Sequence, residues 1–386
     1  MALPDYLNLP FFEARHRDHA ARLDAWAERR LPDLLQHEQS DPDGTTRRLV
    51  AALAGDGWLD TAVAGGRDGG PDSVALCLSR DILASHGALA DFAFAMQGLG
   101  SGPISLFGSD AQRRHYLPGV VDGTRIAAFA LTEPEAGSDV GALQTSARAD
   151  GDEYVIDGTK VFISNAGLAD FYVVFARTGA AGSKGLSAFV VDANTAGLDC
   201  SEATPVISPH PIGSVRFSAC RVPRACRLGA EGTGFAIAMA TLDVFRATVG
   251  AAALGLARRA FREALNRVRS RIVFGAKLSS YQLTQAKIAD MALAVDAAAL
   301  LVYRAAWQRQ TSGGRTTREA AMAKLFATEQ AQMVIDQALQ LHGGLGVVSG
   351  VPVERLYRDI RALRIYEGTS EIQKLVIAAQ YLHGPG

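Results

Sequence analysis

Tyr154-Val155-Ile156-Asp157-Gly158-Thr159-Lys160-Val161-Phe162-Ile163 is where the chain changes texture. Two runs rich in β-branched and aromatic residues flank Asp-Gly, a dipeptide that readily takes the positive φ of a tight turn, so the stretch predicts a β-hairpin. Further strands are expected at 171–176, 186–191 and 215–217, ending near Pro223. Together they predict a small, mainly antiparallel β-domain, a barrel or sandwich, spanning 127–230.

Upstream the period is helical: Phe12, Leu23, Trp26 and Leu31, then Leu49, Leu53 and Trp58, recur among charges. Gly65-Gly66, Gly69-Gly70-Pro71 and Gly100-Ser101-Gly102-Pro103 read as breaks between helices. Residues 1–126 are therefore expected to form an α-helical domain. Downstream, Leu254, Phe261, Leu265, Val268 and Ile272 follow helical spacing, and alanine-rich helices are predicted at 281–310 and 318–341. Gly343-Gly344 would stop the last of these, and Thr311-Ser312-Gly313-Gly314 reads as a loop. Residues 231–386 thus predict a C-terminal four-helix bundle whose surplus apolar faces bury against sister subunits. The fold class is α+β.

The chain has 386 residues and 48% hydrophobic content, enough for a sizeable core without staples. Its 39 basic and 40 acidic residues balance, which argues against nucleic-acid or anionic-membrane partners. Four cysteines without a Cys-x-x-Cys pattern, and eight scattered histidines, predict a reducing compartment and no structural metal. The start Met1-Ala2-Leu3-Pro4-Asp5 resembles no secretory signal and no stretch reads as a membrane span, so a soluble, cytoplasmic protein is expected.

Chemistry is sought near the C-terminus, in Tyr366-Glu367-Gly368-Thr369-Ser370-Glu371-Ile372-Gln373. Ser370 and Gln373 have capping-box spacing, with Ile372, Leu375, Val376 and Tyr381 as an apolar stripe behind them. A helix beginning near Ser370 would offer unpartnered N–H groups to an anionic ligand, with Glu367 poised beside a glycine. From these residues alone, Glu367 reads first as a charge placed near a positive helix end.

Three motifs in this order resemble the acyl-CoA dehydrogenase family, over nearly the whole chain. The first is Phe129-Ala130-Leu131-Thr132-Glu133-Pro134-Glu135-Ala136-Gly137-Ser138-Asp139. The second is Arg271-x-x-Phe274-Gly275 with Gln282 downstream, and the third runs from Gln340-Leu341-His342-Gly343-Gly344 to the octapeptide. The resemblance is to the short- and medium-chain type, whose catalytic glutamate is C-terminal. It implies that FAD is held by Phe129, Leu131, Thr132, Gly137 and Ser138, by Phe162, Ile163 and Ser164, and by Thr369 and Glu371. Arg271, Phe274, Gln282, Gln340, Gly343 and Gly344 would complete the cofactor site across a subunit boundary. Thr132 would face flavin N5, and Ser138 would contact the cofactor phosphate or the substrate. Arg271 would bind the pyrophosphate through its planar fork. Ser138, Asp243, Arg246, Tyr366 and Gly368 would contact the acyl-CoA, although Asp243 and Arg246 also read as an i,i+3 helix pair.

The implied reaction is α,β-dehydrogenation of an acyl-CoA thioester to the trans-2-enoyl-CoA. Glu367 would take the α-proton while flavin N5 takes the β-hydride, and an electron-transfer flavoprotein would then accept the electrons. One branch of the family carries its base at the position of Phe245, which cannot accept a proton, so the resemblance leaves Glu367 as the base. A homo-oligomer is implied, with a dimer as the minimal unit and a tetramer as the expected assembly. Departures are Glu135 in place of a usual glycine, Val63-Ala64-Gly65 without the common proline turn, and the unfamiliar 208–214 segment. Phe245 and Leu242 suggest a short, branched or cyclic acyl group. An acyl-CoA oxidase of the same fold, a non-catalytic flavoprotein module, and a carrier-protein thioester as substrate are the alternatives.

Overall fold

The computed structural model describes residues 5–63, 72–312 and 315–382. In chain order its helices are α1 (Ala14–Leu34), α2 (Pro42–Gly55), α3 (Leu59–Ala62), α4 (Ser73–His86), α5 (Ala88–Phe107), α6 (Asp110–Val121), α7 (Gly234–Ser270), α8 (Gln282–Ser312), α9 (Thr317–His342), α10 (Pro352–Leu363) and α11 (Ser370–Leu382). The strands are β1 (Ala127–Ala130), β2 (Ser146–Asp150), β3 (Glu153–Ser164), β4 (Phe171–Arg177), β5 (Leu186–Asp192), β6 (Leu198–Asp199), β7 (Ile212–Pro223), β8 (Arg227–Leu228), β9 (Ile272–Val273) and β10 (Ala276–Lys277). The chain forms two compact units, one from Met1–Asp33, Ser73–Asp91 and Asp243–Gly386, the other from Leu34–Asp72 and Phe92–Leu242. The N-terminal helices are thereby shared out: α4 belongs to the first unit, α2, α3 and α6 to the second.

The second unit holds an 8-stranded sheet in the order β6-β7-β3-β2-β4-β5-β8, with β1 pairing β4. The sheet is mixed: β1 runs parallel to β4, and β2 meets β4 in parallel through Ser146 and Arg177, while the other pairs are antiparallel. The expected hairpin at Asp157-Gly158 is absent. Those residues lie inside one 12-residue strand, and the chain reverses instead at Gly151, whose φ is +60°. At Asp157-Gly158 the register against β7 slips, forming a bulge. Gly158 is needed there because its φ is +145° and a Cβ would lie 2.6 Å from Thr145 Oγ1. Asp157 spends its carboxylate on the bulge, accepting from the Ala219 N–H at 2.6 Å. Asp-Gly is thus local chemistry for positive φ, and here it serves a bulge rather than a turn.

Gly100-Ser101-Gly102-Pro103 likewise breaks nothing, since it sits within the 20-residue α5. A Cβ on Gly100 would fall 2.7 Å from that of Ala127, so the glycine lets α5 approach β1 closely. α6 carries a true capping box, formed by Ser109 and Gln112. Gly65-Gly66, Gly69-Gly70-Pro71 and most of Val63-Ala64-Gly65 lie outside the described residues.

In the first unit, α9 packs against α8, α10 and α11, and α4 against α8. Small residues set these distances: a Cβ on Gly250 of α7 would lie 3.1 Å from Val302 of α8 and 3.1 Å from the Ala323 carbonyl of α9. α7 has the length and apolar composition of a membrane span, contrary to the sequence reading, but that window is mostly buried within the protein. Fully buried Leu254 and Val268 line it, each contributing about 1.5–3 kcal/mol. α8 continues through Thr311 and Ser312, so that half of the expected loop is helical; Gly313 and Gly314 lie outside the described residues. On α11 the expected apolar stripe is not buried: Leu375 and Tyr381 are 66% and 63% exposed.

Candidate active site

The octapeptide forms a left-handed turn between α10 and α11. Glu367 has φ +54° and Gly368 φ +89°. A non-glycine residue in that region costs about 1–3 kcal/mol, so the surroundings must enforce it. They do so by gripping carbonyls. Lys324 Nζ donates to the Gly368 carbonyl at 2.6 Å, and Gln373 Nε2 donates to the carbonyls of Gly368 at 2.9 Å and Glu367 at 3.2 Å.

α11 begins at Ser370 as expected, but the capping box does not form. The Ile372 N–H reaches the Thr369 hydroxyl, at 3.4 Å, one position earlier. Ser370 instead donates its hydroxyl to Glu329, which Arg364 also engages at 2.9 and 2.7 Å. Gln373 is committed to the turn carbonyls. Both side chains chosen as caps are thus used to hold the glutamate's turn.

Glu367 Oε2 is out of solvent and accepts no hydrogen bond from the described residues. Burial pushes its pKa above the ordinary carboxylate range, and the positive charges of Arg80, Lys324 and Arg246 oppose that rise without cancelling it. Lys324, itself buried, is pushed down to about 8, chiefly by desolvation. Burial raises the Tyr366 hydroxyl as well. Arg80 is held by two 2.8 Å bonds to Asp91 and by Thr248 Oγ1 at 2.9 Å, with side-chain exposures of 2% and 8% for the ion pair.

The sequence reading does not include Arg80, Asp91 or Lys324, and of these Arg80 alone carries a signal. Every residue of α4 from Ser73 to Ser85 is buried, so a charge in that all-round apolar helix had to be paired.

Asp243 and Arg246, expected at the substrate, form the i,i+3 pair at 2.8 Å, both buried. The second carboxylate oxygen of Asp243 accepts from Arg315 at 2.9 Å and from the Thr317 hydroxyl at 2.9 Å. Arg246 Nε is buried and unpartnered among the described residues, and its charge acts on Glu367 and Lys324. Phe245 is fully buried beside them in sequence.

In the other unit, two predicted segments are joined. The Val161 N–H donates to the Thr132 carbonyl at 2.9 Å, linking the 129–138 segment to the β3 bulge. Lys160, unnoticed in the sequence, reinforces the link, donating to the Leu131 carbonyl at 3.0 Å and to Glu133 at 2.7 Å. Glu133 also accepts from the Gln144 and Thr145 N–H groups at 2.6 and 2.9 Å. Phe129 lies on β1 with its ring centroid 5.0 Å from that of Phe175; Leu131 and Ile163 are buried, Ser138 exposed and Ser164 half-buried. Phe162 is 61% exposed with φ +55°, at the second bulge of β3. Gly137 has no positive φ, and a Cβ there would meet only Thr132 Cγ2, at 3.9 Å. The chain's own packing does not require that glycine.

The remaining predicted residues belong to the first unit. β9 and β10 form a tight hairpin with Phe274 at its tip, wholly exposed at φ +48°, followed by Gly275 at φ +81°. Arg271 is exposed, with no side-chain partner among the described residues, and Gln282 opens α8, also exposed. Gln340 is exposed in the last turn of α9, which Gly343 ends at φ +62°; Gly344 is clear of any atom within 4 Å of a built Cβ. Arg267, in the last turn of α7, donates to the His342 carbonyl at 3.4 Å. Thr369 is half-buried and Glu371 exposed, its carboxyl held below the usual range by hydrogen bonds from its own N–H and from Thr369.

Comparison with known proteins adds three family-model matches along the chain: "Acyl-CoA dehydrogenase, N-terminal domain" over residues 13–124, "middle domain" over 128–220 and "C-terminal domain" over 232–382. The human mitochondrial short-chain specific acyl-CoA dehydrogenase is 46% identical over 284 residues, 73% of this chain and 69% of that protein. Cyclohexane-1-carbonyl-CoA dehydrogenase of Geobacter metallireducens is 40% identical over 309 residues, 80% of this chain and 81% of its own. Among solved structures, an acyl-CoA dehydrogenase complexed with FAD from Bacillus anthracis superposes with a TM-score of 0.88 at 31% identity, covering 96% of this chain and 67% of that one.

Proposed function

The chain belongs to the acyl-CoA dehydrogenase family, and from that premise we propose that it desaturates an acyl-CoA thioester between Cα and Cβ, with Glu367 as the base. It is an enzyme, an oxidoreductase with FAD as cofactor, as its homologues are. When bound, FAD supplies the oxidising power by accepting the hydride equivalent.

Residues of this chain fit such a group. Gly137 and Gly344 leave room that the chain's own packing does not need, Phe162 offers an exposed aromatic face, and Arg271 has a guanidinium free for a pyrophosphate. Thr132, Ser138 and Ser164 would add hydroxyls, and Phe129, Leu131 and Ile163 the framework behind them. Phe274, Gln282, Gln340 and Gly343, with Thr369 and Glu371, would serve the same cofactor, the first four, like Arg271 and Gly344, from a sister subunit.

The proton chemistry belongs to Glu367. An acyl-CoA α-hydrogen is too weakly acidic for an ordinary carboxylate, and a desolvated one is the stronger base. The observation carrying this reading is the Glu367 Oε2 itself, out of solvent, without a hydrogen-bond donor among the described residues and held on a strained turn. The Glu367 backbone N–H would steady the enolate oxygen. Gly368 and Tyr366 would border the thioester. Asp243 is already engaged by Arg246, Arg315 and Thr317, whereas Arg246 keeps its Nε unpartnered among the described residues and would be the one of the two to meet the thioester. Buried Phe245 supports a compact acyl group, short, branched or cyclic, as do the short-chain and cyclohexane-carbonyl relatives. Electrons would pass on to an electron-transfer flavoprotein.

The test is anaerobic titration of the purified flavoprotein with short, branched, cyclic and long acyl-CoAs, following flavin bleaching. Glu367→Gln retains flavin and binds thioester but loses reduction by about 10³-fold or more; ordinary bleaching in that variant refutes the assigned base. Because burial raises the Glu367 pKa, the base is ionised only above the usual carboxylate range. Reduction should therefore climb with pH through that raised value, and a rate already flat from pH 4 would contradict it.

A further inference from the structure

We propose that Lys324 of α9 is the positioning residue of the catalytic turn: its ammonium group fixes the Gly368 carbonyl and sets a positive charge against the Glu367 side chain. The inference rests on Glu367 being the base.

Lys324 is 1% exposed in a helix whose neighbouring positions Ala320, Ala321, Ala323 and Ala327 are buried alanines. Burying an ammonium without a partner is strongly unfavourable, so a lysine persists there only where its charge is used. Yet its hydrogen bond goes to a backbone carbonyl, 44 positions away at 2.6 Å. The acidic group on the next turn of α9, Glu329, is taken by Arg364 and Ser370. The charge that remains for Lys324 to meet is Glu367, whose Oε2 has no donor among the described residues.

One contact thus does two things. It holds the left-handed Gly368 whose orientation aims the preceding side chain, and it opposes the desolvation that raises the carboxyl's hold on its proton. The other charges facing Glu367 are Arg80 of α4, Asp91 of α5 and Arg246 of α7, with Tyr366 as the adjoining titratable hydroxyl. Arg80 is paired with its bidentate carboxylate, and Arg246 with Asp243, which Arg315 also engages. Lys324 alone among the three cations has no carboxylate within ion-pair distance among the described residues.

The experiment compares Lys324→Met, Lys324→Arg and Glu367→Gln as FAD-loaded enzymes. Single-turnover reduction by a thioester is measured against pH, together with thioester affinity and hydrogen exchange of the 366–370 amides. With the cation gone, the Glu367 pKa rises further, so at fixed pH less base is ionised. Lys324→Met should slow reduction about tenfold at neutral pH, with its pH midpoint displaced upward by about one unit. The rate should recover towards that of the parent at high pH, thioester affinity should change less than about threefold, and the 366–370 amides should exchange faster. Lys324→Arg should restore the midpoint.

A Lys324→Met enzyme with an unmoved midpoint, or a Lys324→Arg enzyme displaced as far as methionine, overturns the proposal. If the methionine variant does not fold, Lys324→Gln, which offers an amide donor without the charge, takes its place, and an unmoved midpoint in it overturns the proposal. Undiminished reduction by Glu367→Gln would instead sink the reading of the base, leaving a different pattern from either failure of Lys324.

Discussion

The base proposed at Glu367 rests on what its oxygen lacks, and Gly368 is a glycine because of what sits beside it. With φ at +89° and a built Cβ 2.6 Å from Gln373 Nε2 and 3.3 Å from Ile372 Cγ2, a side chain at 368 would strain the backbone and push away the amide that grips the turn. Gly368→Ala should cost about 1–3 kcal/mol of stability. It should also lower flavin reduction by at least about tenfold, since a misplacement near 1 Å can cost that much or more. Thermal unfolding and stopped-flow reduction check the two effects, and unchanged kinetics would mean that the turn tolerates another shape. The sequence disclosed the carboxylate, the glycine and the helix start, because each has a local signature. It did not disclose the cap register, because Ser370 and Gln373 have alternative partners in Glu329 and the turn carbonyls, and capping spacing cannot weigh a partner 41 residues away.

At the scale of the element, β3 depends on the Lys160 and Glu133 pair, with side-chain exposures of 0% and 5%. Burial alone would raise the Glu133 carboxyl, but Lys160 and the Gln144 N–H hold it below the usual range. Removing one partner leaves the other charge buried, so Lys160→Met should destabilise by about 3–5 kcal/mol, whereas the double variant Lys160→Met/Glu133→Gln should regain much of that loss. Denaturant unfolding of the three variants measures the coupling, and simple additivity would show that the pair does not act as a unit. Since the folded pKa of Glu133 is depressed, its contribution is present above the unfolded carboxylate value and is lost as pH falls through the folded one. The same strand shows where local reading failed. Strand-forming residues on both sides of Asp157-Gly158 were legible, but whether positive φ closes a turn or opens a bulge depends on β7, more than 50 residues on.

For the whole molecule, the succession of helical, strand and helical segments was readable because the hydrophobic period changes along the chain. The interleaving of those segments into two compact units was not, since it is decided by which all-round apolar helix, such as α4, finds a place in which core. Nor did the pattern distinguish faces buried within the chain from faces it leaves open. Ile272, Phe274, Leu283, Leu293, Leu300, Leu375 and Tyr381 all lie in the first unit, and each remains between 41% and 100% exposed. Burying a side chain of this kind contributes about 1.5–3 kcal/mol, so a few such pairs outweigh much of the entropy lost on association. The chain should therefore sediment as a dimer or tetramer, with a melting temperature that rises with protein concentration. Leu293 and Leu300, seven residues apart, share one face of α8. Replacing both by glutamate should release lower-order species while leaving the fold of each chain intact, because neither side chain is buried in it. Should the doubly substituted chain sediment as the parent does, the face of α8 carrying these leucines is no subunit contact; should the parent itself sediment as a monomer, its exposed apolar side chains face solvent and the cofactor site must be complete within one chain.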